Sequence, residues 1–136
     1  LKRLGLDVAY SPLSSDEMPT AAAQGALAVQ IAGPINERTK SVSAAFAGVN
    51  CPIATAEVTA ERAVLAHLDG SCHTPIAASA KYSDDGMISL DAMILRPDGE
   101  VAHRRQIVGS ADDAANLGME LGASLLTDAG GREFLA

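Results

Sequence analysis

IAASAKYSDDGMISLDAMILRPDGEVAHRRQIV, residues 76–108, decides the fold. Ile76, Ala78, Ala80 and Tyr82 recur at period two, and Ile88, Leu90, Ala92 and Ile94 resume that period after Asp84, Asp85 and Gly86. Such alternation puts apolar side chains on one face of a strand, and the Asp-Asp-Gly run supplies a tight reversal, so the segment reads as a β-hairpin. A second turn, Pro97, Asp98 and Gly99, leads into residues 101–108, where His103, Arg104 and Arg105 read as a solvated face on an edge or half-exposed strand. Three antiparallel strands are expected.

Working outward, a helix is expected on either side. Before the strands, Thr55 can serve as N-cap with Glu57 in the positive first turn. Val58, Val64, Leu65 and Leu68 supply an apolar face, and Gly70 stands where a left-handed C-cap would be, which predicts a helix over about residues 56–69. After the strands, Ser110 with Asp113 three residues on resembles a capping box, Leu117, Leu121 and Leu125 share one face, and Gly130 and Gly131 close the helix. Gly118 and Gly122 would let this helix lie close to the sheet. The class is α+β: a small three-stranded antiparallel sheet with helices packed on one face, over residues 52–136.

Residues 1–51 are less self-contained. Leu1, Leu4, Leu6 and Val8 read as the tail of a helix, Pro12 to Pro19 as a loop, and residues 25–32 (GALAVQIA) as a short buried strand. Asn36 with Glu37 and Arg38 opens a helical pattern carrying Val42, Ala45, Phe46 and Val49, which ends at Asn50, Cys51 and Pro52. The first periodic segment starts at once on Leu1, so the chain is expected to be a piece of a longer protein.

The 136 residues are 48% hydrophobic but hold only two Tyr, two Phe and no Trp, so the core must be built from Ala, Val, Ile and Leu. Ten Lys and Arg against seventeen Asp and Glu give a net charge of −7, which opposes phosphate-backbone binding, and no basic run offsets it; no nucleic-acid partner is expected. No stretch approaches the roughly 20 apolar residues that span a bilayer, so no membrane partner and a cytoplasmic setting are expected.

Chemistry centres on two cysteines. A disulfide does not fit a reducing compartment. Cys51, beside Pro52, reads as a small buried hydrophobe, whereas Cys72 lies in a tight loop, Leu68 to Pro75, where a thiol stays accessible and Gly70 and Ser71 leave room for something attached. A plain loop thiol is the competing reading. His67, Cys72 and His73 cluster without any common zinc spacing, so no metal site is expected. Asp84/Asp85 and Asp112/Asp113 fall in a turn and a helix start, where acidic residues are structural.

Residues 61–77, ERAVLAHLDGSCHTPIA, carry more than loop chemistry. The run resembles the cofactor-attachment signature of the porphobilinogen deaminases, or hydroxymethylbilane synthases: Glu-Arg, an apolar residue before a Gly-(Gly/Ser/Ala)-Cys turn, then Pro and a small residue. Residues 1–6, LKRLGL, and 19–26, PTAAAQGA, resemble the family's LKRLGL and PAVGQGA segments, and Arg96-Pro97-Asp98-Gly99 and Gly130 fall in family order. Asp69 and His73 replace commoner residues, and Ala23 stands where the family usually has Gly.

The resemblance implies the C-terminal part of a monomeric three-domain enzyme of tetrapyrrole biosynthesis. Such an enzyme joins four porphobilinogen units with loss of ammonia and releases hydroxymethylbilane. The growing pyrrole chain is primed on a dipyrromethane cofactor held by a thioether, which maps onto Cys72; a thiolate is a soft nucleophile suited to that bond. Arg3 maps onto an arginine that binds acetate and propionate carboxylates, a task its planar fork suits, and Gln24 and Gly25 map onto an active-site turn. Residues 1–51 would be trailing segments of α/β catalytic domains that resemble periplasmic binding proteins, and 52–136 the cofactor-attachment domain. The catalytic aspartate belongs to the N-terminal domains, so no catalytic residue is expected here, and those domains are the expected partner. A small non-catalytic α+β ligand-binding or regulatory module would share the fold but leave the 61–77 run unexplained.

Overall fold

A computed structural model describes residues 2–33, 36–71 and 73–136. Its helices are α1 (Glu37–Ala47), α2 (Pro52–His67) and α3 (Ala114–Ala129). Its strands are β1 (Ile76–Tyr82), β2 (Met87–Leu95) and β3 (Ala102–Ser110), which lie in the order β1-β2-β3, all antiparallel. Registry aligns Ala80 with Leu90 and Leu90 with Ile107, so the apolar positions stack into one face. Burial alternates strictly along β2, where Ile88, Leu90, Ala92 and Ile94 are buried. α2 covers β1 and α3 covers β3 on that face, closing a core with Val64, Leu68, Leu121 and Leu125. The α+β class and the edge character of β3 stand as expected.

Several local expectations need correcting. α2 starts three residues before Thr55, because Pro52 fits the first helical position, where its missing N–H costs nothing. Thr55 instead donates its hydroxyl to the Cys51 carbonyl at 2.9 Å. At the other end the left-handed residue is Asp69 (φ 55), with Asp69 N–H bonded to Ala66 O and Gly70 N–H to Leu65 O, a Schellman closure. Gly70 instead leaves space that side-chain ends fill: a Cβ there would sit 2.5 Å from Leu65 Cδ1 and 2.6 Å from Ile76 Cδ1, and both would have to shift. Gly118 and Gly122 face α2 rather than the sheet, since a Cβ on Gly118 would lie 2.3 Å from the Ala60 carbonyl oxygen. Small residues on both helices meet there and allow a close crossing.

β3 does not present its basic run as one solvated face. Period-two alternation sends Arg104 to the open face of the sheet, while Arg105 and His103 turn to the helix-covered side, where Arg105 pairs with Asp128 and His103 meets the Phe134 ring edge-on.

Of the N-terminal expectations, α1 is present, but the helix tail is only a 3-10 turn, Lys2–Leu4, and Leu1 lies outside the described residues. Residues 25–32 form no strand, and Leu27 is fully exposed. An extended apolar segment becomes a buried strand only beside a hydrogen-bonding partner, and none of the described strands pairs with it. Among the described residues no helix is long and apolar enough to cross a membrane.

Candidate functional site

Cys72 lies outside the described residues, but both flanks of its loop are fixed. Ser71 N–H donates to Thr74 Oγ1 at 3.0 Å, the two hydroxyls meet at 3.2 Å, and Thr74 N–H returns to the Ser71 carbonyl at 3.1 Å. His73 N–H donates to Ser71 Oγ at 3.2 Å. The loop starts from the Asp69–Gly70 closure of α2 and ends just before β1, where the Pro75 carbonyl accepts from Leu95 N–H. Ser71 and His73 are exposed, whereas Gly70, Thr74 and Pro75 are half-buried, so the described flanks are braced and open to solvent only at those two residues.

The Gln24–Gly25 turn is held elsewhere, along the outer edge of β1. Ala78 N–H donates to the Thr20 carbonyl at 3.0 Å, and Ala23 N–H donates to Glu61 Oε2 at 2.6 Å. Ala23 is left-handed (φ 61), the conformation that favours Gly. Gln24 Oε1 accepts from Ala21 N–H at 3.1 Å, so the oxygen of its carboxamide is used inside the turn.

The same edge gives partners to two carboxylates whose role the sequence did not show: Glu57, expected in the first helical turn, lies beyond it because α2 starts at Pro52, and Glu61 was noted only within the Glu-Arg motif. Ala80 N–H donates to Glu61 Oε1 at 2.8 Å, and Tyr82 N–H to Glu57 Oε1 at 2.9 Å. β1 is an outer strand, and unpaired N–H groups there invite another strand; Thr20, Glu61 and Glu57 close it. A signal existed: like charges at i and i+4 on a helix repel unless something bonds them.

Arg3 is exposed, with no ion-pair partner among the described residues, and no described hydrogen bond joins it to the turn or to the loop. Cys51 is exposed, correcting its reading as a buried hydrophobe: it sits at the mouth of α2 with extended backbone, outside the packed turns. On the open face of the sheet, Arg104 bonds the carboxylates of Asp91 and, at 3.0 Å, Asp16, which pins residue 16 over the strands. The hydrogen bond to Asp91 leads in raising the Arg104 pKa. Arg105 donates two bonds to Asp128, at 2.6 and 2.8 Å, which hold that carboxyl below its usual range.

Residues 55–127 match the protein family described as "Porphobilinogen deaminase, C-terminal domain". The chain is 43% identical over 126 residues to a porphobilinogen deaminase of Paracoccus denitrificans, covering 92% of this chain and 39% of that protein. It is 38% identical over 137 aligned positions to one from Chromobacterium violaceum, covering all of this chain and 42% of the relative. One from Leifsonia xyli is 43% identical over 100 residues, 73% of this chain and 30% of the relative. The chain thus spans between 30% and 42% of the length of these three relatives.

Proposed function

Because the chain belongs to the porphobilinogen deaminase family through its C-terminal domain, we propose that it is the cofactor-attachment part of a hydroxymethylbilane synthase. The parent enzyme would join four porphobilinogen molecules and release hydroxymethylbilane, working as a monomer in the cytoplasm. The observation that carries this reading is the family match across residues 55–127, which includes the whole loop from Gly70 to Pro75. Residues 52–136 would be the attachment domain, and 1–51 trailing segments of the catalytic domains.

Dipyrromethane fits the described surroundings of Cys72. Ser71 and His73, on either side of it, are exposed, and the Ser71 and Thr74 hydroxyls bond each other, so the flanks are braced by the chain's own bonds. Bound there by a thioether to Cys72 Sγ, the group supplies the primer on which the pyrrole chain grows. Gln24, its oxygen already bonded to Ala21, would present its NH2 as a donor to acetate or propionate carboxylates. Gly25 (φ 87) would let the backbone come close, and the exposed Arg3 would offer a bidentate donor to the same carboxylates.

An apolar groove of about 650 Å³ between residues 26–29, Phe46, Val49 and Val58 supports the N-terminal catalytic domains as partner, since such a surface is ordinarily covered. The test is intact mass of the full-length protein, wild type and Cys72→Ser. An added dipyrromethane that vanishes with the substitution is expected; an active protein without the adduct overturns the assignment. The 136-residue chain alone is expected to give no product from porphobilinogen, because the catalytic aspartate would lie in the N-terminal domains.

A further inference from the structure

We propose that Glu61 is a positioning residue, a two-ended clamp that fixes the Gln24–Gly25 turn to the strand leading out of the Cys72 loop. The inference rests on the reading above that Gln24 belongs to the active site. One carboxylate takes N–H groups from two distant parts of the chain, Ala80 at 2.8 Å and Ala23 at 2.6 Å, 19 and 38 residues away. Both bonds are partly buried, and an ionised acceptor makes each stronger than a neutral pair. The Ala23 N–H belongs to a residue held left-handed, a conformation that a non-glycine residue keeps only when its surroundings hold it there.

Glu57 provides the internal contrast. One helical turn earlier on the same side of α2, it bonds Tyr82 N–H through Oε1. Its bond seals the strand edge and reaches nothing in the turn. A glutamine at 57 keeps that single acceptor. At 61 it cannot serve both ends, because replacing one oxygen by NH2 sets a donor against an N–H. The clamp therefore needs a carboxylate at 61 and only an acceptor at 57.

Amide hydrogen exchange on the 136-residue chain reads the clamp directly. Glu61→Gln should speed exchange at Ala23 by about tenfold or more while Leu90 and Ala92 in the core hold their rates, as expected of a local opening. Glu57→Gln should leave Ala23 unchanged. Unchanged exchange at Ala23 in Glu61→Gln, or an equal rise in Glu57→Gln, overturns the proposal. If Glu61→Gln does not fold, Glu61→Asp, one methylene too short to span both partners, is judged by the same criterion.

In the full-length enzyme, a misplaced Gln24 should raise KM about tenfold with kcat changed less than about threefold, the mark of lost ground-state binding. Adduct mass should be retained, and Glu57→Gln should match wild type. A purely structural role would instead lower kcat at constant KM through a smaller active fraction, and that result also overturns the proposal. A wild-type protein without adduct would defeat the functional reading, while the exchange experiment still judges the clamp.

Discussion

Gly118 shows how much the packing depends on single atoms. A Cβ there would lie 2.3 Å from the Ala60 carbonyl oxygen and 2.6 Å from Ala63 Cβ, and backbone cannot give way as a flexible side chain does. Gly118→Ala must push α2 and α3 apart, and should lower stability by about 2 kcal/mol, in the range of core overpacking, measured as a fall in the urea midpoint at unchanged m. The sequence flagged this glycine for a close approach but pointed it at the sheet, whereas the surface it meets is α2. Gly70 was legible as special for the wrong reason: Asp69 takes the left-handed backbone, and Gly70 yields room to Leu65 and Ile76. Space around a Cβ depends on residues brought in by folding, so no local pattern reports it.

At the scale of elements, the turns between strands depend on ionised aspartates. Ser83 Oγ donates to Asp85 at 2.6 Å and Met87 N–H at 3.2 Å, and these bonds hold the Asp85 carboxyl below its ordinary value. Asp98 is lowered by Glu100 N–H in the next turn, and Asp128 by Arg105. Each folded-state pKa lies below the unfolded value of about 3.9, so the stabilisation is present above that pH and is lost as pH falls through the folded values. The urea midpoint should therefore drop between about pH 5 and pH 2, and the drop should be smaller in Asp85→Asn and Asp128→Asn. The strands were legible because their alternation is intrinsic to each segment. The beginning of α2 was not, because Thr55 and Pro52 both qualify as start signals and only the observed bonds choose between them.

For the whole molecule, one side of the sheet is apolar and covered by helices, and the other is polar and crossed by residues 14–16. Residues 5–33 form no helix or strand and expose Leu6, Val8, Leu13, Leu27 and Val29. Limited proteolysis of the 136-residue chain should cut within 5–33 well before it cuts within 52–129, followed by mass spectrometry of the products. Early cuts inside β2 or α3 would contradict the described packing. The Cys72 loop was legible as a contiguous motif, whereas the double use of Glu61 was not, because its partners stand 19 and 38 residues away. The exposed segment at 25–32 misled for a related reason: its apolar pattern asks for a neighbour that the described strands do not supply.

The stretch from Glu61 to the loop has no slack in length. Glu61 is set by its grip on the edge of β1, and the helix then runs without interruption to His67 before the closure at Asp69 and Gly70. One residue inserted between Glu61 and Leu65 would swing everything beyond it by about 100° around the helix axis and shift it by about 1.5 Å. Either the carboxylate would lose its strand or the loop would turn away from Ile76. Length variation in this protein should therefore be tolerated in the turn at 84–86 or the turn at 97–99, and not in the eleven-residue step from Glu61 to Cys72.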